Sequence, residues 1–402
     1  MPSLLAALFF FAILTLWVSA WWPVAVFEVG ICALTAAALL RARRSPFPFT
    51  FPLVPLTFAP AWGVFQWLTG RTVYSFDTRS AIAHWTAFLA VFLCAFLLFR
   101  DAPVRRWFRA AMLWFAFLLS ILATLQTFTS SGKVFWLFPS GYTDYVMGPF
   151  LSRNHYAAFI EVVLPIALYE ASRRQRPSVL YCAMAAAMYA SVIASASRAG
   201  MLLATAEIAA VIALVSIRGG VNGHRIGATL LGIFASFALF TALVGWGNLW
   251  NRFRAPDPLQ IRRQLVLSTL HMIAAHPWFG VGLGAWATAY PRYALIDVGL
   301  FANQAHNDWL QWTAEGGLPF GLMLAALFFW CLRPAISSVW GLGVIAVFLH
   351  ALVDYPFSRP ALGSCPILIL AMLAAWQCGR SAPGDHPSPA PLDPASPPTP
   401  SI

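Results

Sequence analysis

Runs of about twenty mostly apolar residues follow one another through nearly the whole chain, each long enough to cross a hydrocarbon layer as a helix. Inside that layer every backbone N–H and C=O must be satisfied by the chain itself, so a segment of this kind spans as a helix. The runs lie near 3–20, 23–40, 49–69, 81–99, 108–128, 155–171, 178–196, 200–217, 226–246, 317–332, 337–354 and 361–377, about twelve in all. Charged residues make up 10% of the 402, against about a quarter in a soluble domain, too few to cover a water-facing surface. The expected fold is all-α: a polytopic transmembrane helical bundle of about twelve helices, with a large periplasmic loop containing short helices.

Arginine sets the orientation. Arg41, Arg43 and Arg44 follow the second run, Arg100, Arg105, Arg106 and Arg109 the fourth, and Arg173, Arg174 and Arg176 the sixth. Arg218 and Arg225 follow the eighth, and Arg333 the tenth. All of these connections fall on one side, the cytoplasmic one by the positive-inside rule; Arg71, Arg79 and Arg359 fall on the other. The expected organisation is a transmembrane domain over 1–380, a periplasmic loop over 247–316 inserted within it, and a disordered Pro-rich cytoplasmic tail over 381–402. The N-terminus lacks a basic leader and has a long apolar run, so it reads as a first membrane helix and not a cleaved signal.

The net charge is +11. Topology and phosphate binding explain it better than nucleic acid, which is not expected as a partner. The cysteines, Cys32, Cys94, Cys182, Cys331, Cys365 and Cys378, lie in or beside apolar runs without C-x-x-C spacing, so they read as small core residues. No cofactor or metal is expected: the chain has no Walker loop, no dinucleotide fingerprint, no H-E-x-x-H, and no acidic cluster of the kind that holds a metal on a diphosphate.

The long outward connection is unusual because it carries Arg252, Arg254, Arg262, Arg263, Arg292 and His306 on the side where cations are disfavoured. That points to an anionic ligand. Asp257-Pro258 opens a helix there, its apolar stripe runs through Ile261, Leu265, Leu270 and Ile273, and His276-Pro277 ends it. Arg198, in a very short connection among small neighbours, suits a forked grip on phosphate or a snorkelling anchor. Arg262 and Arg263 are adjacent and point in different directions, so at most one faces a site. His306 has the chemistry for proton transfer near neutral pH, and equally that of a polar helix start. Arg153 and His155 open the sixth helix on the same side, lining a cavity or anchoring the helix. Glu315 stands in Glu315-Gly316-Gly317, a sequence that suits a helix end. His350 and Asp354, four apart, share a helix face and read as a structural pair. Glu28, Glu161 and Glu207 lie within apolar runs, where acids are costly.

Taken in order, these motifs resemble the O-antigen ligase and polymerase family of polytopic membrane glycosyltransferases. The resemblance covers about residues 145–378. It runs through Arg153-Asn154-His155-Tyr156-Ala157, Ser197-Arg198-Ala199-Gly200, Arg262, and His276-Pro277-Trp278-Phe279-Gly280-Val281-Gly282-Leu283-Gly284. It continues with His306-Asn307-Asp308-Trp309-Leu310-Gln311, Glu315-Gly316-Gly317 and His350-Ala351-Leu352-Val353-Asp354-Tyr355-Pro356. Val266 departs from it, standing where many members carry Trp; the first 140 residues or so match in topology only. The resemblance implies transfer of a glycan from undecaprenyl diphosphate to an acceptor, on the outer face of a bacterial inner membrane. By motif position, Arg198 and Arg262 resemble the family's diphosphate-binding arginines, and His306 its essential loop histidine.

The expected partners are the undecaprenyl-diphosphate-linked glycan, membrane lipid and an acceptor, whether lipid, polysaccharide or protein. Two other classes remain open from sequence: a secondary transporter of a small anion, for which paired repeats and broken midplane helices would be the sign, and a non-catalytic scaffold.

Overall fold

The structure is a computed structural model that describes residues 1–44, 47–142, 146–173, 179–218, 231–232, 259–295, 299 and 301–380. Its helices are α1 (Pro2–Leu14), α2 (Trp22–Ala42), α3 (Leu53–Leu68), α4 (Ser75–Phe99), α5 (Ala102–Thr129), α6 (Arg153–Arg173), α7 (Val179–Ala194), α8 (Arg198–Ile217), α9 (Leu259–Ala275), α10 (Trp286–Ala289), α11 (Asp308–Ser338), α12 (Leu342–His350) and α13 (Pro360–Arg380). The strands among the described residues are a two-residue antiparallel pair, Lys133–Val134 with Phe138–Pro139.

Among these, α2, α4, α5, α8, α11 and α13 are long and apolar enough to cross a membrane, while α1, α3 and α7 are apolar but shorter. The chain is therefore an all-α, multi-pass membrane protein. The run expected at 226–246, the first part of the long connection and the tail from 381 lie outside the described residues.

Two helices sit at the centre. α4 packs against α2, α3 and α13, and α6 against α7, α8 and α12. From Pro360 to Ala375, α13 is buried without interruption, and α6 is buried from His155 to Leu168. By contrast, α1 to α3 expose Leu4, Val26, Val29, Leu40 and Leu68, the apolar surface a helix turns to lipid.

The last third differs from expectation in two places. A helix was expected to re-enter at 317; α11 instead begins at Asp308 and carries a break inside it, where Gly317 takes φ 77° and ψ 176°. The break frees backbone groups, and three of them find partners outside the helix. The Trp62 indole donates to Gly316 O (2.8 Å), Gln66 Nε2 to Glu315 O (2.9 Å), and Leu318 N to Pro277 O (2.7 Å). The second difference is α12, which spans nine residues in place of the expected 337–354. Val339, with φ 65°, separates it from α11. Its end at His350 takes Asp354 off the helix face that the i, i+4 rule assumed.

Candidate functional site

The N-terminal ends of α4, α6, α8 and α11 gather at one end of the bundle, together with the segment 351–359. Ser197, the N-cap of α8, accepts from Gly200 N (3.2 Å) and donates to Asn154 Oδ1 at the start of α6 (2.8 Å). Asp77 in the first turn of α4 accepts from Thr288 (2.6 Å). Asp308 N bonds to Ala351 O (2.9 Å) and Asp354 O (3.2 Å), and its carboxylate accepts from Phe357 N (3.0 Å). Helix N-termini carry unpaired N–H groups and partial positive charge, so several meeting at one place favour an anion.

His306 stands immediately before Asn307, the N-cap of α11, whose side chain accepts from Leu310 N (3.0 Å). It adopts φ 53°, a left-handed conformation uncommon for a residue with a side chain. Asn307 Nδ2 donates to Leu352 O (2.8 Å) and Trp309 Nε1 to Phe348 O (2.8 Å), so both sides of the kink are fastened. The imidazole Nδ1 lies 3.3 Å from Asp354 Oδ1; the histidine side chain is 32% exposed and the aspartate 2%.

The His350–Asp354 pair expected from spacing is thus not formed between side chains. Asp354 faces His306, while His350 Nδ1 meets Glu161 Oε1 (2.8 Å) and Oε2 (3.0 Å), with both side chains fully buried. The reason is the helix end at His350: beyond it the chain turns, and residue 354 no longer projects along the same side as residue 350.

Tyr355 links the two halves of the cluster. Its ring is edge-on to both His306 and His155, with centroids 4.8 Å apart in each case. Burial and the neighbouring Asp354 charge push its hydroxyl up to about 12, against the opposing fields of Arg359 and Arg262, so the phenol stays neutral. Burial alone would raise Asp354, but the hydrogen bond to His306 and the fields of His155 and His350 hold its carboxyl down at about 2. Of the loop arginines, Arg262 is half-buried and within electrostatic reach of Tyr355 and His350, whereas Arg263 is exposed. The geometry therefore selects Arg262 as the residue of the pair that faces inward.

Arg198 is exposed as the first residue of α8. Two residues on, Gly200 has no room for a Cβ, which would overlap that of Ala157 and stand 3.3 Å from Glu161 Oε1. The Arg198 turn is thereby packed on the helix that carries the Glu161–His350 pair. Arg153, half-buried, is the first residue of α6, and His155, in the first turn of the helix, is buried with Nε2 unpartnered.

Glu315 is buried away from the histidines and fixes the loop 276–284. Its carboxylate accepts from Gly284 N (2.9 Å) and Gln311 Nε2 (2.9 Å), and its carbonyl accepts from Gly282 N (3.0 Å). Gly280 and Gly282 have positive φ, and a Cβ on them would collide with Glu315 and Thr72 respectively. Glu315 is a fastener here, not a helix terminator.

Sequence reasoning missed Tyr355 and the partners of Asp354 and Glu161. The adjacency Asp354-Tyr355-Pro356 was visible, but nothing in it told which ring would pack on which.

Residues 183–325 match the family model described as O-antigen ligase; the matched stretch holds the Ser197-to-Glu315 motifs of the resemblance, while the Arg153 and His350 motifs lie outside it. A search of curated proteins returned no match.

Proposed function

We propose that the protein transfers a glycan from undecaprenyl diphosphate to an acceptor hydroxyl at the outer face of a bacterial inner membrane. The family match supports enzyme activity in glycan transfer. The observation that carries the finer reading is the half-open His306–Asp354 pair beside the meeting helix N-termini and Arg262.

In this reading Asp354, ionised at any working pH, accepts from His306 Nδ1–H and leaves Nε2 with its lone pair. Nε2 takes the proton of the acceptor hydroxyl as its oxygen attacks the anomeric carbon. The bond from that carbon to the diphosphate breaks, and attack opposite the leaving group inverts the centre. Arg262 and Arg198 stabilise the charge growing on the departing diphosphate, aided by Arg153 and the N-terminal ends of α6 and α8. Guanidinium groups fill the role without a metal ion. Arg263, on the exposed side, meets solvent or the lipid surface. Tyr355 and His155 hold the His306 ring in place, and Glu315, His350 and Glu161 hold the scaffold behind it.

The test is transfer of lipid-linked glycan in membranes carrying the His306→Ala or Arg198→Ala protein. Loss of transfer at normal membrane abundance is expected, with wild-type activity unchanged by a metal chelator. Wild-type product levels in both variants would overturn the assignment.

A further inference from the structure

The end of the bundle opposite His306 holds a cavity of about 790 Å³. It lies between the C-terminal ends of α11 and α13 and the segment 48–51, lined among others by Thr50, Trp330, Arg333, Ser337, Trp376 and Arg380. Beyond its break at Gly317, α11 continues to Ser338, about 30 Å at the helical rise, so this cavity and the His306 cluster lie roughly a hydrocarbon layer apart.

The helix ends here present carbonyl oxygens, which would repel an anion. That field is met from within the protein: Arg218 donates to Ile336 O (2.8 Å) and Ser337 O (3.0 Å). Arg333 and Arg380 remain at the cavity, with no carboxylate partner among the described residues. The Arg380 guanidinium stacks over the Trp376 ring at 4.8 Å, which holds it at the rim, and Arg100 lies within electrostatic reach of Cys378 on the same wall. Two guanidiniums, two hydroxyls and a wall containing Phe49, Phe51 and Trp330 match a molecule with a phosphate at one end and hydrocarbon at the other.

We propose that this cavity binds the phosphodiester headgroup of an anionic phospholipid. The phosphate sits between Arg333 and Arg380, each able to offer paired N–H donors; Thr50 and Ser337 supply hydroxyls to the glycerol region. The acyl chains leave along the aromatic wall, where Trp belongs at the interface.

The test is native mass spectrometry of the purified full-length protein titrated with phosphatidylglycerol, phosphatidylcholine or inorganic phosphate. Phosphatidylglycerol should be preferred over phosphatidylcholine by about thirtyfold, as two arginines near a headgroup would give. The double variant Arg333→Gln/Arg380→Gln should lose that preference and Arg333→Lys/Arg380→Lys keep most of it. Arg41→Gln/Arg43→Gln, which removes charge outside the cavity, should leave it intact. The proposal fails if the first variant retains the wild-type preference, or if the last loses as much, since diffuse surface attraction would then suffice. Inorganic phosphate binding as tightly as the lipid, and only to protein with both arginines, would assign the cavity to a soluble phosphate and overturn the lipid.

Discussion

Two imidazole–carboxylate pairs sit near one another in this molecule and differ above all in access to water. His350 and Glu161 are sealed between α12 and α6 with neither side chain exposed, and Glu161 offers both oxygens at hydrogen-bonding distance. His306 and Asp354 share a longer contact, and the histidine opens outward while the aspartate is covered. The sealed pair has no route to a substrate and serves to join helices. The open pair has a buried carboxylate behind an accessible ring, the arrangement that lets an imidazole exchange a proton with a bound hydroxyl. Similar groups, a helix apart, are assigned to architecture in one place and chemistry in the other.

The sharpest way to break this comparison is His306→Ala. Loss of a general base should lower transfer by about 10²–10⁴-fold, measured as product per membrane-inserted protein, with no more than about 2 kcal/mol of stability lost along with the hydrogen bond to Asp354. Arg262→Ala should cost about 10²-fold in turnover as a lost stabiliser of the leaving group, and Arg263→Ala less than about threefold, because Arg262 is the one of the pair that acts on His350 and Tyr355 while Arg263 meets solvent. Parallel rate assays of the two variants decide between them; equal losses would remove the distinction drawn from burial. Glu161→Leu should behave in the opposite way to His306→Ala. Leaving the buried His350 unpaired is expected to cost about 3 kcal/mol of stability, seen as reduced abundance and a lower unfolding temperature in detergent. Adding His350→Leu should recover part of that loss.

A smaller effect follows from Asp354. Its carboxyl is held at about 2 in the fold, below the ordinary aspartate value of about 3.9. The stabilisation is therefore fully present above about pH 4 and is lost as pH falls toward 2, amounting to about 2 kcal/mol. Acid unfolding of the wild type and of Asp354→Asn should diverge above pH 4 and converge near pH 2. A change of similar size is expected for Gly284→Ala, with φ 75° and a prospective Cβ 2.8 Å from Asp77 O. It should lower the unfolding temperature modestly, at a cost of about 1–2 kcal/mol, and leave the pH profile of transfer unmoved.

Much of this architecture was legible because lipid imposes a simple rule: α2, α6, α7, α8 and α13 lie within three residues of the apolar runs that forecast them, and α4 and α5 begin six residues earlier than forecast. Sequence was a poorer guide where the chain leaves the helix. The i, i+4 rule paired His350 with Asp354, but it holds only while the helix continues, and α12 stops at His350. Glu315-Gly316-Gly317 looked like a stop signal. A glycine in left-handed backbone does interrupt the ladder at 317, yet Gln66 and Trp62, some 250 positions earlier in the chain, take up the released carbonyls and the helix resumes. Side chains at that separation leave no periodic trace. For the site, residue types and order were readable, while the partner of each was decided by where a turn ended.

Gln66 carries the last consequence. Its amide also donates to Phe279 O (2.6 Å) and its oxygen accepts from Leu283 N (3.0 Å), while Val73 N reaches Val281 O (2.8 Å). The early helices, which share little motif with the family, are thus a clasp on the segment that does. A recombinant fragment spanning only residues 183–325 would leave those peptide groups stranded. Grafting or minimising this protein requires keeping the leading third, with Gln66 as the stitch to preserve.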